Sequence, residues 1–164
     1  MTLDGAHISI GNRGLKPGLI YAACPSRLTD RTRDICDYVR STGNACLHPF
    51  AALPFEYFEG TDVVGRTQTL HWCCRLIEAA DAFWIFGVSE GTLLELEHAI
   101  ALKRPVTVMV GKFDRRWRGE CRRFAANYPI AVDYLLTRTA RGSDPGRPSR
   151  KRSVGSEEDA LETV

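Results

Sequence analysis

The chain lacks the roughly 20 consecutive apolar residues that a membrane-spanning helix needs. Residues 1–17 also lack the apolar core of a signal peptide. The two absences together predict a cytoplasmic protein that makes no membrane contact. No Cys-x-x-Cys pair occurs, and the four histidines do not fall at zinc-ligand spacing. No metal and no organic cofactor are therefore expected. The six cysteines (Cys24, Cys36, Cys46, Cys73, Cys74 and Cys121) read as reduced, mostly buried small hydrophobes. Cys73 and Cys74 fall in a predicted helix, where adjacent side chains point about 100° apart and chelate poorly. No internal repeat is visible. Neither sign of charge dominates, with 22 basic against 20 acidic residues.

What is present describes one domain with tails. A chain of 164 residues buries roughly two-thirds of its unfolded surface, enough for a core without disulfides. Residues 1–17 are broken by Gly5, Gly11 and Gly14 and read as a loose leader. Residues 18–137 carry the patterned segments. Residues 138–164 are Gly, Ser, Pro and charge, and read as a disordered tail. The tail is basic from Arg138 to Arg152 and acidic after it, at Glu157, Glu158, Asp159 and Glu162. A basic tail can touch nucleic acid, although a solvated segment is the simpler reading.

Between the tails, short apolar runs alternate with helical periods. Leu19–Ala23, Ala45–His48, Ala82–Phe86, Pro105–Val110 and Ile130–Leu136 read as strands. Helices are predicted after Thr29 or Asp30, over about 63–80, over 92–102 and over 117–128. Pro49 to Asp62 reads as a loop rich in aromatics. This order predicts an α/β fold, a Rossmann- or flavodoxin-like doubly wound parallel sheet of about five strands in three α/β/α layers. Ligands in such folds bind beyond the carboxyl ends of the strands, so the loops after Ala23, Leu47 and Phe86 are the candidate site.

The segment Gly87-Val88-Ser89-Glu90-Gly91-Thr92 joins a strand to a helix. Ser89 or Thr92 can cap that helix, and Gly91 lets a ligand approach the backbone. Unpaired amides and the helix dipole both favour an anion there. Glu95 lies one turn further on, where its carboxylate reaches back over the loop. Glu97 points elsewhere, and His98 lies on a neighbouring face.

These segments resemble the nucleoside 2-deoxyribosyltransferase-like superfamily over about residues 19–110, and an uncharacterised branch of it in the finer detail. Leu19-Ile20-Tyr21-Ala22-Ala23-Cys24-Pro25 is similar to its opening strand. Glu78-Ala79-Ala80-Asp81-Ala82-Phe83-Trp84 is similar to its Ala-Asp-apolar strand start. Ser89-Glu90-Gly91-Thr92-Leu93-Leu94-Glu95, continuing to Lys103-Arg104-Pro105-Val106, resembles its Ser-Gly-Thr-x-x-Glu signature. The turn is also similar in outline to that of phosphoribohydrolases acting on nucleoside monophosphates.

The resemblance implies an enzyme, a nucleoside 5′-monophosphate N-glycosidase or a deoxyribosyltransferase, with Glu95 as the nucleophile. It places a 5′-phosphate at Ser89, Glu90, Gly91 and Thr92, with Arg27 or Arg66 adding a cationic fork and Tyr21 and Pro25 beside it. His48, Phe55 and His98 become base or sugar contacts. It also implies a homo-oligomer, dimer or higher. Two positions depart from the pattern. Cys73 stands where active members carry an acid, and Glu97 stands where they carry Gly. These departures keep a second reading open, a non-catalytic nucleotide sensor. A third reading, an accessory protein, rests on the Arg138–Arg152 tail holding nucleic acid. Asp81 reads as structural, capping the turn into its strand.

Overall fold

The computed structural model describes residues 17–54, 58 and 65–140. In chain order these form β1 (Leu19–Ala23), a 3-10 turn (Ser26–Arg31), α1 (Thr32–Ser41), β2 (Ala45–Leu47) and α2 (Pro49–Ala52). There follow α3 (Gly65–Ala79), β3 (Ala82–Ile85), α4 (Glu90–Ala101) and β4 (Val106–Val108). The described chain ends with α5 (Val110–Phe113), α6 (Trp117–Phe124) and α7 (Pro129–Ala140).

The sheet has four strands in the order β2-β1-β3-β4, and all are parallel. Side chains alternate across each strand, so β1 feeds both faces. Tyr21 and Ala23 join Phe83 and Ile85 on one face, against Cys73 and Ile77 of α3, Leu93 and Leu96 of α4, and Leu135 of α7. Ile20 and Ala22 join Phe86, Met109 and Phe113 on the other, against Ile35 and Val39 of α1. With both faces of the sheet covered, the fold is a three-layer α/β/α arrangement of Rossmann-like type. No helix among the described residues is long and apolar enough to cross a membrane.

The expected fifth strand, Ile130–Leu136, is helical and forms part of α7. The buried residues Ala131, Val132 and Leu135 are spaced as one helical face, while Ile130 and Leu136 face solvent. A short apolar run reads equally well as strand or helix, and Pro129 at the first helical position was the missed signal. Other boundaries shift as well. Val110 opens α5 rather than ending β4, α6 stops at Phe124, and Pro49–Ala52 is a helical turn inside the expected loop. Thr29 and Asp30 lie within the 3-10 turn, and α1 begins at Thr32 without a side-chain cap. Asp81 accepts a 2.7 Å hydrogen bond from the Leu19 amide and so ties β3 to β1, the structural role read from its position. The expected leader up to residue 16 and the tail beyond Ala140 lie outside the described residues, whereas residues 138–140, expected in the tail, continue α7.

The carboxyl ends of β1 and β3 are held level, since Ala23 pairs with Ile85 and the Phe86 amide donates to the Ala23 carbonyl. The loops that follow pack so closely that Gly87 has no room for a side chain. A Cβ there would lie 2.6 Å from Cδ of Pro25 and 2.9 Å from Leu28 Cδ1. A proline ring cannot rotate out of the way. Gly87→Ala is therefore expected to cost about 1–3 kcal/mol by overpacking. Urea denaturation checks this, and an unchanged midpoint would show that the two loops do not abut.

Candidate functional site

A pocket opens at the carboxyl ends of β1 and β3. Cys24, Pro25 and Ser26 line it from the loop after β1, and Pro49 and Phe50 from the turn after β2. Arg66, Thr69 and Leu70 of α3 form a wall with Phe58, and Ser89, Gly91, Thr92 and Glu95 complete it. The chain order reverses between β1 and β3, which in open α/β sheets is where ligands bind.

The start of α4 is built by its own side chains. The Ser89 hydroxyl accepts from the Thr92 amide, and the Thr92 hydroxyl accepts from the Ser89 amide at 2.8 Å. This reciprocal capping box fixes the angle at which α4 leaves the sheet. Thr92 is buried and also donates to the Gly87 carbonyl at 3.0 Å.

Glu95, three residues further along α4, is 4% exposed. Its Oε1 accepts a 3.0 Å hydrogen bond from the Tyr21 hydroxyl. Its Oε2 is buried without a hydrogen-bond partner among the described residues. Burial raises the Glu95 carboxyl from its ordinary 4.5 to about 7. The Tyr21 hydroxyl, which donates to the ionised form, and the neighbouring Cys73 thiol oppose that rise. The same burial, reinforced by the Glu95 charge, holds the Tyr21 phenol and the Cys73 thiol neutral. Tyr21 is fixed in turn by stacking on Phe83, with ring centroids 5.6 Å apart.

The remaining candidates divide into those at the pocket and those away from it. Pro25 and Arg66 line it. Arg66 faces Glu90 at 3.6 Å, and Glu90 also accepts from the Tyr128 hydroxyl at 3.4 Å. Arg27 is not among the lining residues. It pairs at 2.5 Å with Asp114, which is 2% exposed. His48 is buried beside Phe50 as the cap of α2, with Nδ1 accepting from the Phe50 amide and Nε2 without a partner among the described residues. Its burial lowers the imidazole to about 4, so it is neutral at physiological pH. His98 faces Glu78 at 3.6 Å, away from the pocket. Phe55 lies outside the described residues. Phe58 meets Phe50 edge-on at 4.5 Å and belongs to the pocket wall.

One tie across the fold has no signal in the sequence. Asp114 accepts from the Val88 amide at 2.9 Å and from the Arg116 amide at 3.0 Å, besides pairing with Arg27. It thereby ties the loop after β3 to the turn after β1, and no motif around it marked that role. Glu97 accepts from the Ala131 amide at 3.3 Å, at the N-terminus of α7. Its carboxylate therefore complements that helix dipole and adds no charge to the pocket. Among the described residues, no three metal-binding side chains gather. A scan against protein-family models and a search of curated proteins return no match to this chain.

Glu95 and His48 impose opposite pH dependences on stability. The folded state holds the Glu95 proton up to about pH 7, whereas the unfolded chain releases it near 4.5. Stability from this group is full below 4.5 and is lost as pH rises to about 7. His48 is neutral down to about pH 4 when folded but takes up a proton below 6.5 when unfolded, so its contribution is lost as pH falls. Glu95→Gln leaves only the His48 slope. The unfolding free energy of Glu95→Gln minus that of the parent is expected to grow by on the order of 3 kcal/mol between pH 4.5 and 7. Parallel curves for the two proteins would show that Glu95 is not buried as described.

Proposed function

We propose that this chain processes nucleosides or nucleotides at the N-glycosidic bond, as a nucleoside 5′-monophosphate N-glycosidase or a deoxyribosyltransferase-like enzyme, with Glu95 as nucleophile. The observation that carries the reading is a single carboxyl group in the pocket at the strand-order reversal, with one oxygen held and the other unpartnered. Cleavage of an N-glycosidic bond builds positive charge on the sugar ring, which a carboxylate stabilises or captures. Tyr21 donates to Oε1 and leaves Oε2 to approach the anomeric carbon. The bond between that carbon and the base nitrogen breaks as the ester to Oε2 forms, and the base leaves with its electron pair. Water or a second base then takes the sugar and frees Glu95.

The rest of the pocket supports a nucleotide. Capping uses the amides of Ser89 and Thr92, which leaves those of Glu90 and Gly91 for a 5′-phosphate. Arg66 supplies a cation beside them, once the phosphate displaces its partner Glu90. Phe50 and Phe58 offer aromatic faces for a base. The likeness of Ser89–Glu95 to the deoxyribosyltransferase signature supports the phosphate and nucleophile placements alone. A homo-oligomer belongs to this reading, with light scattering as its check. A second reading, a nucleotide sensor, is favoured by the Glu95 carboxyl keeping its proton to about pH 7. A neutral carboxyl donates a hydrogen bond to a ligand without attacking it.

Free-base release from nucleosides and their 5′-monophosphates, followed by chromatography with and without an acceptor base, tests the first reading. Release is expected to fall by about 100-fold or more in Glu95→Gln. Tyr21→Phe, which removes one charge-assisted hydrogen bond, is expected to lose roughly 10-fold to 100-fold. No release, with saturable thermal stabilisation by nucleotides, replaces the enzyme by the sensor. Neither release nor stabilisation overturns both.

A further inference from the structure

Away from the pocket, two cysteines from different elements meet. Cys36 lies in the middle of α1, and Cys46 is the central residue of β2, an edge strand of the sheet. Their sulfurs are 3.5 Å apart, with the Cys46 thiol donating to Cys36 Sγ. Both residues are half-buried. The remaining cysteines show no such pairing among the described residues. Cys24, Cys73 and Cys121 are buried, and Cys74 follows Cys73 on α3, where neighbours diverge.

We propose that Cys36 and Cys46 form a reversible dithiol–disulfide site, with hydrogen peroxide or a small-molecule disulfide as the oxidant, which staples α1 to the edge strand β2. A disulfide needs its sulfurs at about 2.05 Å, so side-chain rotation closing roughly 1.5 Å suffices if the backbones are already in register. The hydrogen bond sets the order of events. Cys46 keeps its proton, since burial and the neighbouring sulfur push its thiol up to about 12. Cys36, which accepts the S–H···S contact, is therefore the sulfur that attacks first.

The Cys36 thiolate attacks one peroxide oxygen, the O–O bond breaks, and a sulfenic acid and hydroxide result. Cys46 Sγ then attacks the sulfenic sulfur, the S–O bond breaks, and the oxygen leaves as water with the thiol proton. In sum, two thiols and one hydrogen peroxide give one disulfide and two waters, with two electrons passing from sulfur to peroxide. With a small disulfide as oxidant, the Cys36 thiolate displaces one of its thiols and Cys46 displaces the other.

The staple bears on the pocket through the chain itself. β2 leads directly into His48, Pro49 and Phe50, and the last two line the pocket. Cross-linking α1 to β2 closes a short loop and restricts the unfolded chain. Oxidation is therefore expected to stabilise the fold around that wall.

The test uses the full chain and does not depend on any enzymatic activity. The protein is treated with hydrogen peroxide, its remaining thiols are alkylated, and it is digested with trypsin. Arg40 lies between the two cysteines, so cleavage there separates them unless they are linked. The expected result is a cross-linked pair of peptides containing Cys36 and Cys46, which dithiothreitol separates. The melting temperature should rise by several degrees on oxidation in the parent and stay fixed in Cys36→Ser and in Cys46→Ser. Sulfinic acid at either cysteine without the cross-link would overturn the proposal. So would a link between two chains, or an equal thermal shift in the serine variants.

Discussion

The pairing of β1 with β3 is the constraint on which the rest of the structure depends. From β1 the chain runs outward to β2 at one edge, then returns to the other side of β1 and continues to β4. The helices that leave the two central strands go to opposite faces of the sheet. α1 packs on the face of Ile20 and Ala22, and α4 on the face of Tyr21 and Ala23. Two helices diverging from adjacent strand ends cannot fill the space above both, so a crevice opens there as a consequence of topology. Beneath it the loops after β1 and β3 pack together where Gly87 meets Pro25, and Asp114 binds the loop after β3 to the turn after β1. Breaking a buried carboxylate's ion pair typically costs several kcal/mol, so this tie is not easily exchanged for another.

Within that crevice the core makes one departure from its own rule. α4 lays Leu93, Leu96 and Ala99 against the sheet, and Glu95 is buried among them. An apolar residue would pack there at no electrostatic cost. The carboxyl instead forfeits hydration, and one hydrogen bond from Tyr21 offsets part of the loss. Its proton is correspondingly hard to remove, which is what the rise to about 7 expresses. A local conflict of this kind, sited at a topological crevice, is what makes Glu95 the candidate group of the pocket.

The fold was legible in the sequence wherever patterning was unambiguous. Leu19–Ala23 and Ala82–Phe86 are apolar on both faces because the central strands are buried on both sides. Ser89 and Thr92 were legible as alternative caps, and the structure uses both in one capping box, so that α4 begins at Glu90 rather than at the expected residue 92. Ile130–Leu136 reads as a strand because its apolar residues run together, although burial sets Val132 and Leu135 apart from Ile130 and Leu136 as one helical face. In the site, Glu95 could be read from its distance along the helix. Arg27 could not, because its partner lies 87 residues away and no local pattern pairs an arginine with a distant aspartate. His48 was readable as a polar residue at a strand end, but its burial as the cap of α2 depends on Phe50 folding back over it.

The two departures from the deoxyribosyltransferase-like pattern have unequal physical weight. Glu97 sits two residues beyond Glu95, so helical geometry turns it away, and its carboxylate meets the Ala131 amide of α7. Charge at position 97 is absorbed by a helix terminus and leaves the pocket as it was. Cys73 is different, because it lies against both Glu95 and Tyr21 in the buried layer. A second acid at that position would share the site with Glu95, and two carboxyls so placed cannot both ionise readily. With a neutral thiol there instead, Glu95 titrates alone and its charge state follows solvent pH and the bound ligand. A positive charge placed beside Oε2 would lower the carboxyl from about 7. With a thiol at position 73, the pocket holds a single carboxyl whose ionisation no neighbouring acid opposes.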